Sequence, residues 1–311
     1  MLRGDTRRPG RRVRVSDTEL DAQTPRPDRQ GARTRLLDGM PVTERRIEAA
    51  GISTPLLEGG EGPPLMLLHG QGGFAPMWGL VIPELAEGHR VLAPDLPGLG
   101  ESQLTGGELD ATRVVAWLGE LIEQTCDEPP TVVGHSLGGT IAARLAIERR
   151  DGVRQLVLVD SGSLGRFRPA PGVIVALLRF SARPSRSSHE RFLSRVFVDP
   201  DRVRAAWGER WEAFEDYHID RAADSSVGAA NRQLLRRLGV RRIPADRLDE
   251  IAAPTSLIWG REDPIMPFRI AEEVAAQLDW PLYPIDDCGH VPQAERPQAF
   301  LEALGASMGN N

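Results

Sequence analysis

The sequence predicts an α/β fold: a mostly parallel central sheet with helices on both faces, and a helical cap inserted into it. Three observations lead there. Short apolar runs such as Leu65-Met66-Leu67-Leu68, Val91-Leu92-Ala93 and Val153 to Val159 alternate with helical periodicity over short connections, the pattern of strands buried on both faces. That rhythm breaks between residue 161 and about 248, where helical patterns and arginines run on without a buried strand. At the centre stands Thr131-Val132-Val133-Gly134-His135-Ser136-Leu137-Gly138-Gly139-Thr140, a β-branched run that passes through Gly-x-Ser-x-Gly into small helical residues. Strand, sharp turn and helix then follow at once, and Gly134 and Gly138 relieve collisions beside a strained turn.

Composition narrows the classes of partner. The chain has 311 residues, 41% of them hydrophobic, enough for one sizeable core. A net charge of −6 gives no reason to expect nucleic-acid binding. No run approaches the roughly 18 apolar residues of a membrane span, so no membrane partner is expected either. Two cysteines, Cys126 and Cys288, are too few for a disulfide framework and point to a reducing, cytoplasmic setting. Cys288 lies close to His290 in sequence and is read as a packed thiol.

Residues 1–40 carry ten arginines against six acids and few large apolar side chains, and read as a disordered tail. Arg7-Arg8 and Arg11-Arg12 resemble an export signal, but no hydrophobic segment follows them. Met40 opens the part that reads as globular, with core segments at 41–160 and 249–311 and the cap at 161–248. Glu44 to Leu57 suggests a hairpin turning near Gly51. Leu65 to Leu68 is a buried strand ending in the glycine-rich His69-Gly70-Gln71-Gly72-Gly73, and Arg90 to Asp95 is another that runs into a Pro/Gly turn. There Asp95 is expected to accept backbone N–H groups. A helix follows from about Leu109 to Gln124, then the serine turn and its helix, then the strand that Asp160 ends.

Within the cap, Trp207, Trp211, Phe214 and Tyr217 form a stripe at helical spacing, read as the cap's own core. Arg166, Arg168, Arg179, Arg183 and Arg186 read as solvated rather than as ligands for a substrate carboxylate. Sheet rhythm resumes at Pro254 to Gly260. A helix from about Phe268 to Leu278, a strand from about Pro281 to Ile285, the turn through His290 and a last helix from about Pro297 to Leu304 complete the chain.

Three residues of catalytic type stand at predicted strand ends in the order serine, acid, histidine: Ser136, Asp263 and His290. A serine hydroxyl is a poor nucleophile until a histidine takes its proton, and a carboxylate fixes the imidazole tautomer and stabilises its cation. Asp160 also ends a strand and stays open as an alternative acid. Asp286 and Asp287 lie too near His290 in sequence to face its ring.

From about Val42 to Met308 the chain resembles the α/β-hydrolase superfamily. The likeness runs through His69-Gly70-Gln71-Gly72, Asp95-Leu96-Pro97-Gly98-Leu99-Gly100, Gly134-His135-Ser136-Leu137-Gly138-Gly139, Trp259-Gly260-Arg261-Glu262-Asp263 and Gly289-His290-Val291-Pro292. This resemblance implies Ser136 as nucleophile, Asp263 as acid and His290 as base. It implies an oxyanion hole made by the Leu137 N–H with one from Gln71 or Gly72. The implied activity is cofactor-free hydrolysis of a carboxylic ester or related acyl bond in a small molecule, through an acyl-enzyme. Serine at the turn sets the chain apart from haloalkane dehalogenases and related epoxide hydrolases, which carry aspartate there. The ending Cys288-Gly289-His290-Val291-Pro292-Gln293-Ala294-Glu295 is similar to that of enzymes cleaving a C–C bond in ring-cleavage products. Those typically have tryptophan after the histidine and asparagine before the serine, where Val291 and His135 stand. A hydrolase-like binding protein without turnover is the reading from another class.

Overall fold

The computed structural model describes residues 29–166 and 169–309. Among them nine strands form one sheet in the order β1-β2-β4-β3-β6-β7-β8-β9, with β5 paired to β2. The hairpin β1 (Thr43–Ala49) and β2 (Ile52–Gly59) turns at Ala50 and Gly51, both at positive φ, and forms the antiparallel edge. From β4 onward the pairing is parallel: β3 (Pro64–Leu68), β4 (Arg90–Pro94), β6 (Thr131–His135), β7 (Gln155–Val159), β8 (Thr255–Gly260) and β9 (Leu282–Ile285). Every residue of β3, β7 and β8 is buried, as strands covered on both faces require. The two-residue strand β5 (Gln103–Leu104) is too short to leave a periodicity in the sequence.

The first helix corrects a sequence expectation. Residues 29–40 are not a disordered tail: α1 (Arg29–Leu37) is helical, and Ala32 and Leu36 are fully buried against Phe74, Trp207 and Tyr217. Its Arg33 donates to Glu44 Oε2 at 2.8 Å and to the Tyr217 hydroxyl at 2.9 Å, and lies 3.1 Å from Asp95 Oδ2. Arginine density suggested disorder because one buried, multiply paired guanidinium looks the same in composition as a solvated one. The expectation for residues 1–28 lies outside the described residues.

A short α2 (Ile82–Leu85) precedes β4. The amphipathic α3 (Ala111–Thr125) begins at Asp110, whose side chain caps the Arg113 N–H at 2.8 Å, and buries Val114, Leu118 and Leu121. After the serine turn comes α4 (Leu137–Glu148). Between β7 and β8 the described residues form helices and no strand: α5 (Pro171–Ala182), α6 (Arg186–Val196), α7 (Pro200–Trp207), α8 (Trp211–Ala223), α9 (Ser225–Leu234) and the short α10 (Ala245–Leu248). Their core joins Trp207, Phe214 and Tyr217 to Phe74 from the sheet side; Phe74 meets Tyr217 edge-on at 4.7 Å and Trp207 stacks on Phe214 at 5.0 Å. The helices α11 (Arg269–Leu278), α12 (Pro292–Glu295) and α13 (Pro297–Gly309) finish the chain. Among the described residues no helix is long and apolar enough to cross a membrane.

Candidate active site

Ser136 sits between β6 and α4 at φ 51° and ψ −112°, backbone values that an L-residue adopts only under constraint. The constraint is visible. Its N–H donates to the Val159 carbonyl at 2.9 Å, and its own carbonyl accepts from Gly162 N–H at 3.0 Å. The flanking glycines have no room for a side chain: a Cβ on Gly134 would stand 2.5 Å from Gly139 Cα, and one on Gly138 2.4 Å from the Leu68 carbonyl oxygen. Gly138→Ala is therefore expected to cost about 3 kcal/mol as strand and helix are pushed apart. Gly88→Ala, in open space, should cost little; thermal unfolding of both variants checks the contrast.

Beside the serine lies His290. Its Nε2 is 3.1 Å from Ser136 Oγ and its Nδ1 is 2.7 Å from Asp263 Oδ2. Asp263 reaches this position from the loop after β8, where its Oδ1 accepts from Ile265 N–H at 2.7 Å and Met266 N–H at 2.9 Å. The loop bearing His290 is held by Glu295, whose carboxylate accepts from Val198, Gly289 and Val291 N–H groups at 2.9, 3.0 and 3.1 Å. Burial pushes the Glu295 carboxyl up, and those backbone donors pull against that shift.

His135 and His69 are structural. Buried His135 donates from Nε2 to the His290 carbonyl at 2.6 Å, and burial with the adjacent His290 ring lowers its pKa to about 3. His69 donates from Nδ1 to the Gly70 carbonyl and accepts the Leu96 N–H at Nε2, 2.8 and 2.9 Å; burial lowers its pKa to about 4. Asp95 accepts from Ala75 N–H at 2.6 Å and Glu101 N–H at 2.8 Å, so it ties two loops together. Asp286 and Asp287 turn outward to Arg261 and to Arg202 with Arg296. Cys288 is fully buried and its thiol is pushed far up by burial, away from nucleophile chemistry.

Asp160, the alternative acid, lies beside Asp263 and His290. One oxygen accepts Gly260 N–H at 3.1 Å. The other has no donor among the described residues. One oxygen from each of Asp160 and Asp263 and one His290 ring nitrogen fall within 4.8 Å of one another. Burial, then the Asp263 charge, raises the Asp160 carboxyl well above its usual range. These three are also the described residues whose donor atoms lie close enough to share a metal ion. Asp263 Oδ1 and Asp160 Oδ1, however, are already occupied by backbone N–H groups.

The upward shift of Asp160 has a consequence for stability. On unfolding it ionises near pH 3.8 and releases its proton, so the unfolded state binds fewer protons and stability falls as pH rises from about 4. Asp160→Asn, which keeps the shape and supplies an amide donor, should unfold at higher temperature than the parent at pH 7. The gain should shrink toward pH 3, as thermal melts across that range would read.

Of the candidate oxyanion donors, the Leu137 and Gln71 N–H groups have no acceptor among the described residues, whereas Gly72 N–H donates to Asn231 Oδ1 at 3.1 Å. Sequence reasoning missed Asn231 and Glu295. Asn231 sits on a helix that no motif connects to the site, while Glu295 follows His290 closely and its carboxylate could have been suspected there.

A strained serine at the carboxyl end of a parallel sheet, facing a histidine and an acid from later strand ends, defines the α/β-hydrolase class of architecture. The comparisons agree. A family model described as the Alpha/beta hydrolase family matches residues 65–303, and the chain belongs to that family. It is 31% identical to a 2-hydroxymuconate semialdehyde hydrolase of Pseudomonas sp. strain CF600, over 85% of this chain and 93% of the relative. It is 28% identical to a pimeloyl-(acyl-carrier protein) methyl ester esterase of Aeromonas hydrophila, over 79% and 95%. Among solved structures it is similar to a 2-hydroxy-6-oxo-6-phenylhexa-2,4-dienoate hydrolase from Rhodococcus sp. strain RHA1. There the TM-score is 0.74 and the identity 25%, over 86% of this chain and 99% of that one.

Proposed function

We propose that this chain is a serine hydrolase that cleaves a carboxylic ester or related acyl bond of a small molecule through an acyl-enzyme. The observation that carries the reading is the continuous line Ser136 Oγ, His290 Nε2, His290 Nδ1, Asp263 Oδ2, with steps of 3.1 and 2.7 Å across the ring. As Ser136 Oγ attacks the acyl carbon, His290 Nε2 takes the hydroxyl proton and Asp263 stabilises the imidazolium. The carbonyl oxygen becomes an oxyanion facing the Leu137 N–H at the start of α4 and the Gln71 N–H in the turn after β3, with about 3 kcal/mol of stabilisation per donor. Collapse expels the alcohol with the proton held on His290. Water, deprotonated by the same Nε2, then attacks the acyl carbon and restores Ser136. Asn231 keeps Gly72 turned away and leaves Gln71 as the second donor. The helices between β7 and β8 act as the cap that sets acyl size.

C–C bond hydrolysis is the second reading, favoured by the names of the Pseudomonas and Rhodococcus relatives. Against it stand His135 and Val291, both buried, with His135 committed to the His290 carbonyl. Initial rates on p-nitrophenyl esters of increasing acyl length, beside a 2-hydroxy-6-oxo-dienoate, separate the two. The proposal expects ester turnover to dominate and the best acyl length to size the pocket. Turnover of the dienoate alone would move the function to C–C cleavage, and none on either would favour a binding protein.

A further inference from the structure

Helix α5 is apolar on both faces. Val173, Ala176 and Phe180 point inward and are buried, with Phe180 stacked on Phe192 at 5.6 Å. Ile174, Val175, Leu177 and Leu178 point outward, 42, 48, 37 and 63% exposed. Residues 174, 177 and 178 share one side of consecutive turns, so the exposed side chains form a continuous ridge. Isolated surface leucines need no explanation, but a ridge of this kind marks an interaction site.

The ridge has a charged border of one sign. Arg179 and Arg183 on or just after α5, and Arg191 and Arg195 on α6, are all exposed. None has an acidic partner within 4 Å among the described residues, while neighbouring Arg186 is paired with Glu215 and Asp216. Between the helices runs a cleft of about 300 Å³, lined by Val175 and Ala176 and bordered by Arg179, Arg191 and Arg195. The charge decides what fits. A second copy docked about a two-fold axis would bring these arginines against themselves. Residues 1–28, with seven arginines against five acids, carry the same sign. An apolar ridge with a cationic rim matches instead a surface with negative headgroups over hydrocarbon.

We propose that the outer face of α5 and α6 docks the protein on an anionic phospholipid bilayer, as a peripheral contact. This departs from the expectation of no membrane partner and is compatible with the absence of a spanning helix among the described residues. It does not depend on the ester reading, although the place is apt. Ala170, just before α5, donates to the Pro264 carbonyl beside Asp263, and the Val196 carbonyl at the end of α6 accepts the His290 N–H. A molecule leaving the bilayer at this face would meet the loops that hold the acid and the base.

The test is cosedimentation of the full chain with vesicles of phosphatidylcholine alone or with about one-third phosphatidylglycerol, at low and high salt. The expected result is binding to the anionic vesicles only, weakened by salt. Ile174→Asp/Leu178→Asp should lower partitioning at least about tenfold, and Arg179→Glu/Arg191→Glu by about fivefold or more per arginine. The thermal midpoint of each variant should match the parent, which shows that the fold is kept. Absence of parent binding to anionic vesicles, or undiminished binding by both variants, would overturn the proposal. So would a concentration-dependent dimer that Leu178→Asp dissolves, since the ridge would then be a subunit contact.

Discussion

Ser136→Ala is expected to lower kcat by about 10⁵-fold or more while leaving the thermal midpoint within a few degrees of the parent. In the proposed mechanism the loss is large because His290 and Asp263 have nothing to activate once Oγ is gone. The fold survives because the turn is held by backbone hydrogen bonds and by glycines packed too closely for any side chain, not by the hydroxyl. Alanine carries the same Cβ into the same positive φ, so it adds no strain that serine lacks. Any residual rate would come from the two oxyanion donors and from substrate binding, which the substitution leaves in place. Stopped and steady-state assays on the best p-nitrophenyl ester, with melts of both proteins, measure the two quantities separately.

The second large effect separates the two buried aspartates. Asp263→Asn should lower kcat/KM by about 10⁴-fold, because an amide donor opposite Nδ1 favours the wrong imidazole tautomer and gives no charge to the imidazolium. Asp160→Asn should stay within about tenfold of the parent, since an amide can still accept Gly260 N–H and its NH2 can donate toward Asp263. The contrast is informative because the two residues follow neighbouring strands and both approach His290. A sharp loss in Asp160→Asn with none in Asp263→Asn would move the acid to the end of β7. The difference between them is in their partners. Asp263 accepts two backbone N–H groups and faces Nδ1 at 2.7 Å, which supports a carboxylate. Asp160 accepts one and faces another acid.

Much of this was legible in the residues. Buried strands announced themselves as apolar runs, and the hairpin by its glycine. The parallel order followed from alternation of strand and helix, and the tight packing around the serine turn from Gly134 and Gly138. The candidate serine, acid and histidine stood out because each lies in a turn after a strand with glycine or proline close by, where local chemistry leaves a mark in sequence. Contacts between distant segments were not. That Arg33 would be buried against Asp95 and Tyr217, or that Asn231 would engage Gly72, depends on side chains from separate elements meeting in space. The helices between β7 and β8 were visible as helical patterns, but which of their faces stays exposed emerges only once their packing is known. On α5 the apolar residues fall on every side, so periodicity alone could not separate the buried Val173 and Phe180 from the exposed Leu178.

The central claim is that Ser136 is a nucleophile activated by His290. Its most direct test is exposure of the parent to a fluorophosphonate, followed by intact mass measurement and peptide mapping. One adduct on Ser136, absent in Ser136→Ala and strongly slowed in His290→Ala, is the predicted result. An unmodified protein, or a phosphonyl group on any other residue, would contradict the account.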